Sequence, residues 1–251
     1  MSALLLTILV LAGTAFSAEA QFDWTIMTEE LPPYNFSRQG KVVGASTDIL
    51  LQILAKNNVR ADRKSIQLLP WPRAYQMALA TPGAILYSTA RTDERENLFQ
   101  WVGPITNITM GLIALKERNI QIDTLQDLRK YTIGTIRDGA PDQLLLKAGI
   151  PESHLDRIAS PESNIKKLLA GRIDLMGFSV LSARFVMQRM GINPDLFEAV
   201  YTLQERPLYF AFHKDSSREL IHSLNATLKD MKIPDATGSC TVTRILNSYF
   251  E

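Results

Sequence analysis

A single cysteine, Cys240, stands among 251 residues, so no disulfide can form within the chain and no cysteine-built metal site can be assembled. Histidine is nearly as scarce. His154, His213 and His222 lie far apart without the spacing of zinc ligands, and neither a metal nor any other cofactor is expected. Neither sign of charge dominates: 27 Lys and Arg face 26 Asp and Glu, which excludes the strongly basic face of a nucleic-acid binder. No apolar run after the N-terminus is long enough to cross a membrane, a task that takes about 20 residues. A nucleophile–base pair of the kind used in covalent catalysis is also missing, so no catalytic residue is assigned and the chain is not read as an enzyme.

What is present begins with Ala3 to Leu11, an apolar run broken only by Thr7 and followed by Ala18-Glu19-Ala20. An apolar core of that length before a small-x-small site reads as a secretory signal peptide over 1–20, although no Lys or Arg precedes the run. The run is too short to span a bilayer. No cysteine follows it, so a lipid anchor is not expected, and the mature protein is placed in the periplasm from Gln21 onward.

From there short apolar runs alternate with amphipathic segments, the pattern of an α/β fold. Strands are expected over Phe22–Met27, Ile66–Leu69, Ala84–Tyr87, Thr109–Leu115, Tyr131–Ile136, Ile173–Phe178 and Leu208–Phe212. Helices are expected over Ser46–Asn57, with Ile49, Leu50, Ile53 and Leu54 on one face, and from Pro72, Pro141, Ser160, Leu181, Ser217 and Thr241. Thr124 and Asp127 have capping-box spacing, and Ser160-Pro161-Glu162 is a helix start with a capping hydroxyl and an acid near the dipole's positive end. The same grammar runs twice, which suggests two lobes: 21–112 plus 207–251, and 118–206, with hinge crossings near 113–117 and 204–209. One continuous α/β domain is the simpler alternative.

The most informative stretch is Gly83 to Ile105. An apolar strand ends there in Ser88 and Thr89, and a polar turn carrying Arg91 and Arg95 follows, with the helix-borne Arg73 a neighbour candidate. Hydroxyls and guanidinium forks at a strand's carboxyl end suit a small anion, and open α/β sheets bind ligands at such places. Tyr34, after the Pro32-Pro33 pair, and Trp71, before Pro72, lie on loops that follow strands; each can wall a pocket or pack in the core.

Several motifs in this order resemble one family. They are Glu30-Leu-Pro-Pro-Tyr-Asn-Phe36, Gly40-Lys-Val-Val-Gly44 leading to Thr47-Asp48-Ile49, Thr92-Asp-Glu-Arg95 with Trp101 and Pro104, Leu125-Gln-Asp-Leu128 leading to Thr132-Ile-Gly134, and Gly171-Arg-Ile-Asp174. Over essentially the whole mature chain it is similar to bacterial extracellular solute-binding proteins of the polar-amino-acid type (family 3), the receptors of ABC importers. The resemblance implies a two-lobed periplasmic-binding-protein-like (type II) clamp that closes on its solute. It implies a monomer that binds a small carboxylate-bearing solute and works with an ABC permease in the inner membrane. Arg95 stands where the family grips a carboxylate, and Ser88 where it places a polar ligand.

Departures from the pattern matter as much. Ala90 replaces a hydroxyl residue, and Ser179 stands where amino-acid receptors place an Asp for the ammonium. Glu30 or Asp138 could substitute, or the solute could be an acid without an amine. Arg91 has no counterpart in the pattern. Arg137 reads equally as a second anion contact and as a salt-bridge partner of Asp138. Two other functions stay open: a secreted enzyme resembling cyclohexadienyl dehydratases, with Glu30 as general acid, and a sensory receptor.

Overall fold

A computed structural model describes residues 24–250; the expected signal peptide and the first residues of the expected strand Phe22–Met27 lie outside them. In chain order the first half contains β1 (Thr25–Thr28), β2 (Phe36–Arg38), β3 (Lys41–Val43), α1 (Ala45–Lys56), β4 (Gln67–Leu68), α2 (Trp71–Ala80), β5 (Ala84–Ala90) and β6 (Phe99–Val102). There follow β7 (Asn107–Leu115), β8 (Ile133–Ile136), α3 (Ala140–Lys147), β9 (Leu155–Ile158), α4 (Pro161–Leu169), β10 (Leu175–Ser179) and α5 (Val180–Arg189). The chain ends with β11 (Phe197–His213), α6 (Arg218–Asp230) and α7 (Thr241–Phe250).

Two groups of strands meet on one shared strand. In the first, β4, β1 and β5 run parallel, and the last third of β11 pairs antiparallel with β5 and β6. In the second, β9, β8 and β10 are parallel, β7 pairs antiparallel with β10, and the first part of β11 pairs antiparallel with β7. Helices cover both groups because their apolar stripes need a partner: Ile49, Leu50, Ile53 and Leu54 of α1 are fully buried in the first lobe. A separate cluster in the second lobe gathers Leu112, Ile133, Leu145, Leu155 and Leu175.

The lobes are joined by two passages of chain. β11 changes partner between Pro207, opposite Asn107 of β7, and Leu208, opposite Ala90 of β5. The other passage runs from β6 to β7. The segment 113–117 does not carry it: Met110 to Ile113 already pair with β10, and Lys116–Arg118 forms a 3-10 turn closed by Asn119 in the left-handed conformation. At the passage itself Gly103 has φ +155, and a Cβ there would come within 2.4 Å of the Tyr209 ring, so only glycine lets the two passages lie this close.

Sequence periodicity placed α1 to α7 within a residue or two, but four strands escaped it. β2, β3, β6 and β9 are three or four residues each, too short to show alternation. The front two-thirds of β11 is polar and half-exposed, Glu198 to Pro207, and is strand because β7 supplies the ladder rather than because its pattern demands it.

Candidate functional site

A narrow cleft lies between the lobes. The first lobe lines it with Glu29, Leu31, Trp71, Ser88, Ala90 and Arg95. The second lobe contributes Met110, Ile136, Pro141, Phe178 and Ser179, with Gly139 and Ala140. An adjoining cavity extends past Glu29 and Trp71 to Glu30, Ser160 and Glu162.

Arg95 is the centre of the first wall. Its turn is held by backbone bonds from Arg95 N to Thr92 O and from Leu98 N to Arg95 O, and the side chain is 1% exposed. The guanidinium lies over the rings of Trp71 and Tyr75, 4.8 and 5.2 Å from their centroids, and those rings stack on each other. Cation–π contact of this kind holds a cation where water cannot. Nη1 donates to the carbonyl of Ala90 at 3.1 Å and Nη2 to the carbonyl of Asp138, in the second lobe, at 2.6 Å. Nε is buried without a hydrogen-bond partner. Burial pushes the guanidinium's pKa down, opposed by Tyr75 and the carboxyl of Glu29.

Ser88 reaches the cleft through an irregularity in β5. Tyr209 pairs with Thr89 and Phe210 with Tyr87, so Ser88 is an extra residue in the ladder, with φ +57. A bulge of this kind re-aims a side chain, and a serine forced into the left-handed region marks a place where the surrounding fold imposes the geometry. Its buried Oγ has no hydrogen-bond partner.

The second wall offers an aimed backbone group. Asp138 has φ +59, and its carbonyl accepts from both Arg95 Nη2 and Trp71 Nε1, the latter at 2.9 Å. The turn is fixed from behind by Asp142, fully buried in the first turn of α3, which accepts from Thr135 Oγ1, the Asp138 amide and the Arg157 guanidinium. Ser179 lines the cleft, but its hydroxyl also caps α5 by accepting from the Ser182 amide at 3.2 Å.

The remaining expected residues lie elsewhere. Arg91 points away from the cleft: it is half-exposed, pairs bidentately with Glu96, and lies over the rings of Trp101 and Tyr209. Arg137 is exposed and lines neither cavity, because its turn aims the next residue's carbonyl inward instead. Tyr34 is buried in the first lobe's core, where burial pushes its hydroxyl up to about 12. Glu30 borders only the adjoining cavity; one carboxylate oxygen accepts from the Ser37 amide and the other from Arg189 of the second lobe at 2.8 Å. Arg73 is exposed on α2.

Glu29 was missed by sequence reasoning, which favoured its neighbour. The residue keeps some exposed surface while its carboxyl sits inside the fold; burial raises the pKa to about 8, with Arg95 pulling it down only in part. In β1, Met27 and Thr28 precede it, and strand alternation alone sends Glu29 and Glu30 to opposite sides. Which side met the cleft could not be read without the partner strands.

The fold and this cleft together define a two-lobed α/β solute-binding clamp of the periplasmic-binding-protein type. The chain belongs to the bacterial extracellular solute-binding proteins, family 3, whose description matches residues 25–251. Among solved structures it is similar to a histidine kinase sensor domain with similarity to periplasmic binding proteins: 18% identity, 90% of this chain and 95% of that one, TM-score 0.75. It is also similar to an ancestral arginine-binding protein bound to arginine, with 19% identity over 92% of this chain and 100% of that one and a TM-score of 0.74. The arginine-, lysine-, histidine-binding protein ArtJ from Geobacillus stearothermophilus gives 17% identity, 90% and 95% coverage, and TM-score 0.71. At these identities the likeness is one of fold. No curated protein matches the chain. No helix among the described residues is long and apolar enough to cross a membrane.

Proposed function

We propose that the protein is a periplasmic receptor that captures a small carboxylate-bearing solute between its lobes and presents it to an ABC permease of the inner membrane. A cleavable leader over 1–20 would deliver it there, and it would act as a monomer. The observation that carries this reading is Arg95: a buried guanidinium, braced by two aromatic faces, with a partnerless Nε in an interlobe cleft. Nε and Nη2 share one edge of the group, which matches the two oxygens of a carboxylate. A solute on that edge takes the place of the Asp138 carbonyl at Nη2 and leaves Ser88 Oγ within the same wall to add a hydrogen bond.

Closure would swing the lobes about the passages at 103–107 and 206–208, in place of the first crossing expected at 113–117. The solute favours the closed form because only there do both walls touch it. The structural likeness to ABC-importer receptors supports import, and the likeness to a kinase sensor domain supports sensing as the second use of the same closure.

The test is a thermal-shift screen of amino acids, keto acids and other small carboxylates, in which a ligand of the folded state raises the melting temperature by mass action. Arg95→Ala should abolish the shift while the far-ultraviolet circular dichroism stays that of the parent. An unchanged shift would remove Arg95 from the site. Glu29 gives a specific reason to assay turnover as well, since a carboxyl held protonated near neutrality is what a lyase needs as general acid. Conversion of a bound acid would replace the receptor by an enzyme.

A further inference from the structure

Both charged side chains that line the cleft, Glu29 and Arg95, come from the first lobe. Among the described residues the second lobe lines this cleft with no carboxylate: its side chains there are Met110, Ile136, Ala140, Pro141, Phe178 and Ser179. An ammonium buried against that wall would find no counter-charge on it, since Ser179 cannot supply one, and only the Glu29 carboxyl across the cleft could, at the cost of ionising inside the fold.

We propose that the solute is an apolar-bodied monocarboxylic acid without an amine, its carboxylate on Arg95, its body against the Met110–Phe178 wall, and the carboxyl of Glu29 donating its proton in a hydrogen bond to the solute. This rests on the receptor reading above and narrows it to one solute class.

The surroundings of Glu29 support the protonated form. Arg95 is the cation that acts on it, and burial outweighs that attraction. Glu30 and Glu162 share the adjoining cavity with it: Glu30 is paired with Arg189, whereas Glu162 accepts only from the neutral Ser160 hydroxyl, and its negative charge further disfavours an ionised Glu29. The Asp138 carboxylate lies toward Arg157 instead, 3.5 Å away. A neutral Glu29 leaves the lining with the single positive charge of Arg95, which one carboxylate balances. An ionised Glu29 would cancel Arg95 and repel that carboxylate, so binding should draw a proton onto Glu29.

Two matched pairs test this, each with the same body with and without the amine: 4-methylpentanoate against leucine, and 3-phenylpropanoate against phenylalanine. Thermal shifts and calorimetric titrations are run at about pH 6 and about pH 9, on either side of the Glu29 carboxyl. The amine-free acids should bind, the amino acids should not, and affinity should fall about tenfold at the higher pH as the proton is lost. Glu29→Gln keeps a donor in nearly the same shape but cannot titrate; it should hold the acids with no such pH dependence. Tighter binding of the amino-acid member of a pair, or loss of acid binding in Glu29→Gln at both pH values, would overturn this inference while leaving the receptor standing. If no member of either pair, and no acid in the broader screen, shifts the melting temperature, the receptor reading falls and this one with it.

Discussion

On the first lobe's wall of the cleft, polarity resides in side chains: Arg95 between two rings, Ser88 on its bulge, Glu29 at the end of β1. On the second lobe's wall it resides in the backbone, in the Asp138 carbonyl aimed by a left-handed turn and locked by the buried Asp142. The difference teaches what each wall can do. A buried guanidinium selects by charge and planarity. A carbonyl carries no charge to select with; without solute it accepts from both Arg95 and Trp71 across the cleft, and on the proposed reading it keeps only the Trp71 bond as a catch once a carboxylate takes Arg95 Nη2. On the proposed reading the second wall serves closure and covers an apolar body, and the first serves recognition.

Breaking the catch at its root should have the largest effect on the fold. Asp142 has no exposed surface and gathers a hydroxyl, an amide and a guanidinium. Asp142→Ala leaves Arg157 largely buried with only more distant carboxylates, Glu152 and Asp138, and should cost about 3–5 kcal/mol of stability in urea unfolding. Asp142→Asn should cost clearly less, because it can still accept. An effect of Asp142→Ala within the scatter of surface substitutions would mean that the turn at Asp138 holds itself, and that the second wall is not built as described.

A smaller change separates catch from recognition within one residue. Trp71→Phe keeps a ring under Arg95 but removes the N–H that reaches Asp138. The loss of one hydrogen bond should lower stability by about 1 kcal/mol, with a few-fold weaker solute binding measured by calorimetry. Binding lost as completely as in Arg95→Ala would place Trp71 on the recognition side of the comparison.

Much of the first wall was legible in the sequence, and little of the second. Ser88 and Arg95 announce themselves as a hydroxyl and a guanidinium after an apolar strand, and Pro72 marks the helix that presents Trp71. Arg91 carries the same signal four residues earlier. It goes outward because Glu96 and the Trp101 and Tyr209 rings hold it there, contacts set by β6 and β11, whose pairing no local pattern reveals. Arg137 attracted notice for its charge, yet the group that matters is the next residue's carbonyl, which every residue has. Glu29 and Glu30 differ by one step along a strand end, and the choice between them depends on where the second lobe lies. Side-chain chemistry can be read from a sequence; an aimed backbone group and a facing wall have to be seen.

The gentlest test concerns the rim, where the two lobes also touch through exposed charges. Lys147 of α3 lies 2.7 Å from Asp93 and 3.6 Å from Glu94, both in the turn that carries Arg95. Each of the three side chains is largely in water, where ion pairs gain little and salt screens them. If closure is governed by the buried catch, Lys147→Ala should leave the melting temperature unchanged within error. Solute affinity should then shift by less than about twofold, and only at low ionic strength. A large loss of affinity that persists in high salt would show that the rim, and not the Asp138 carbonyl, holds the lobes together.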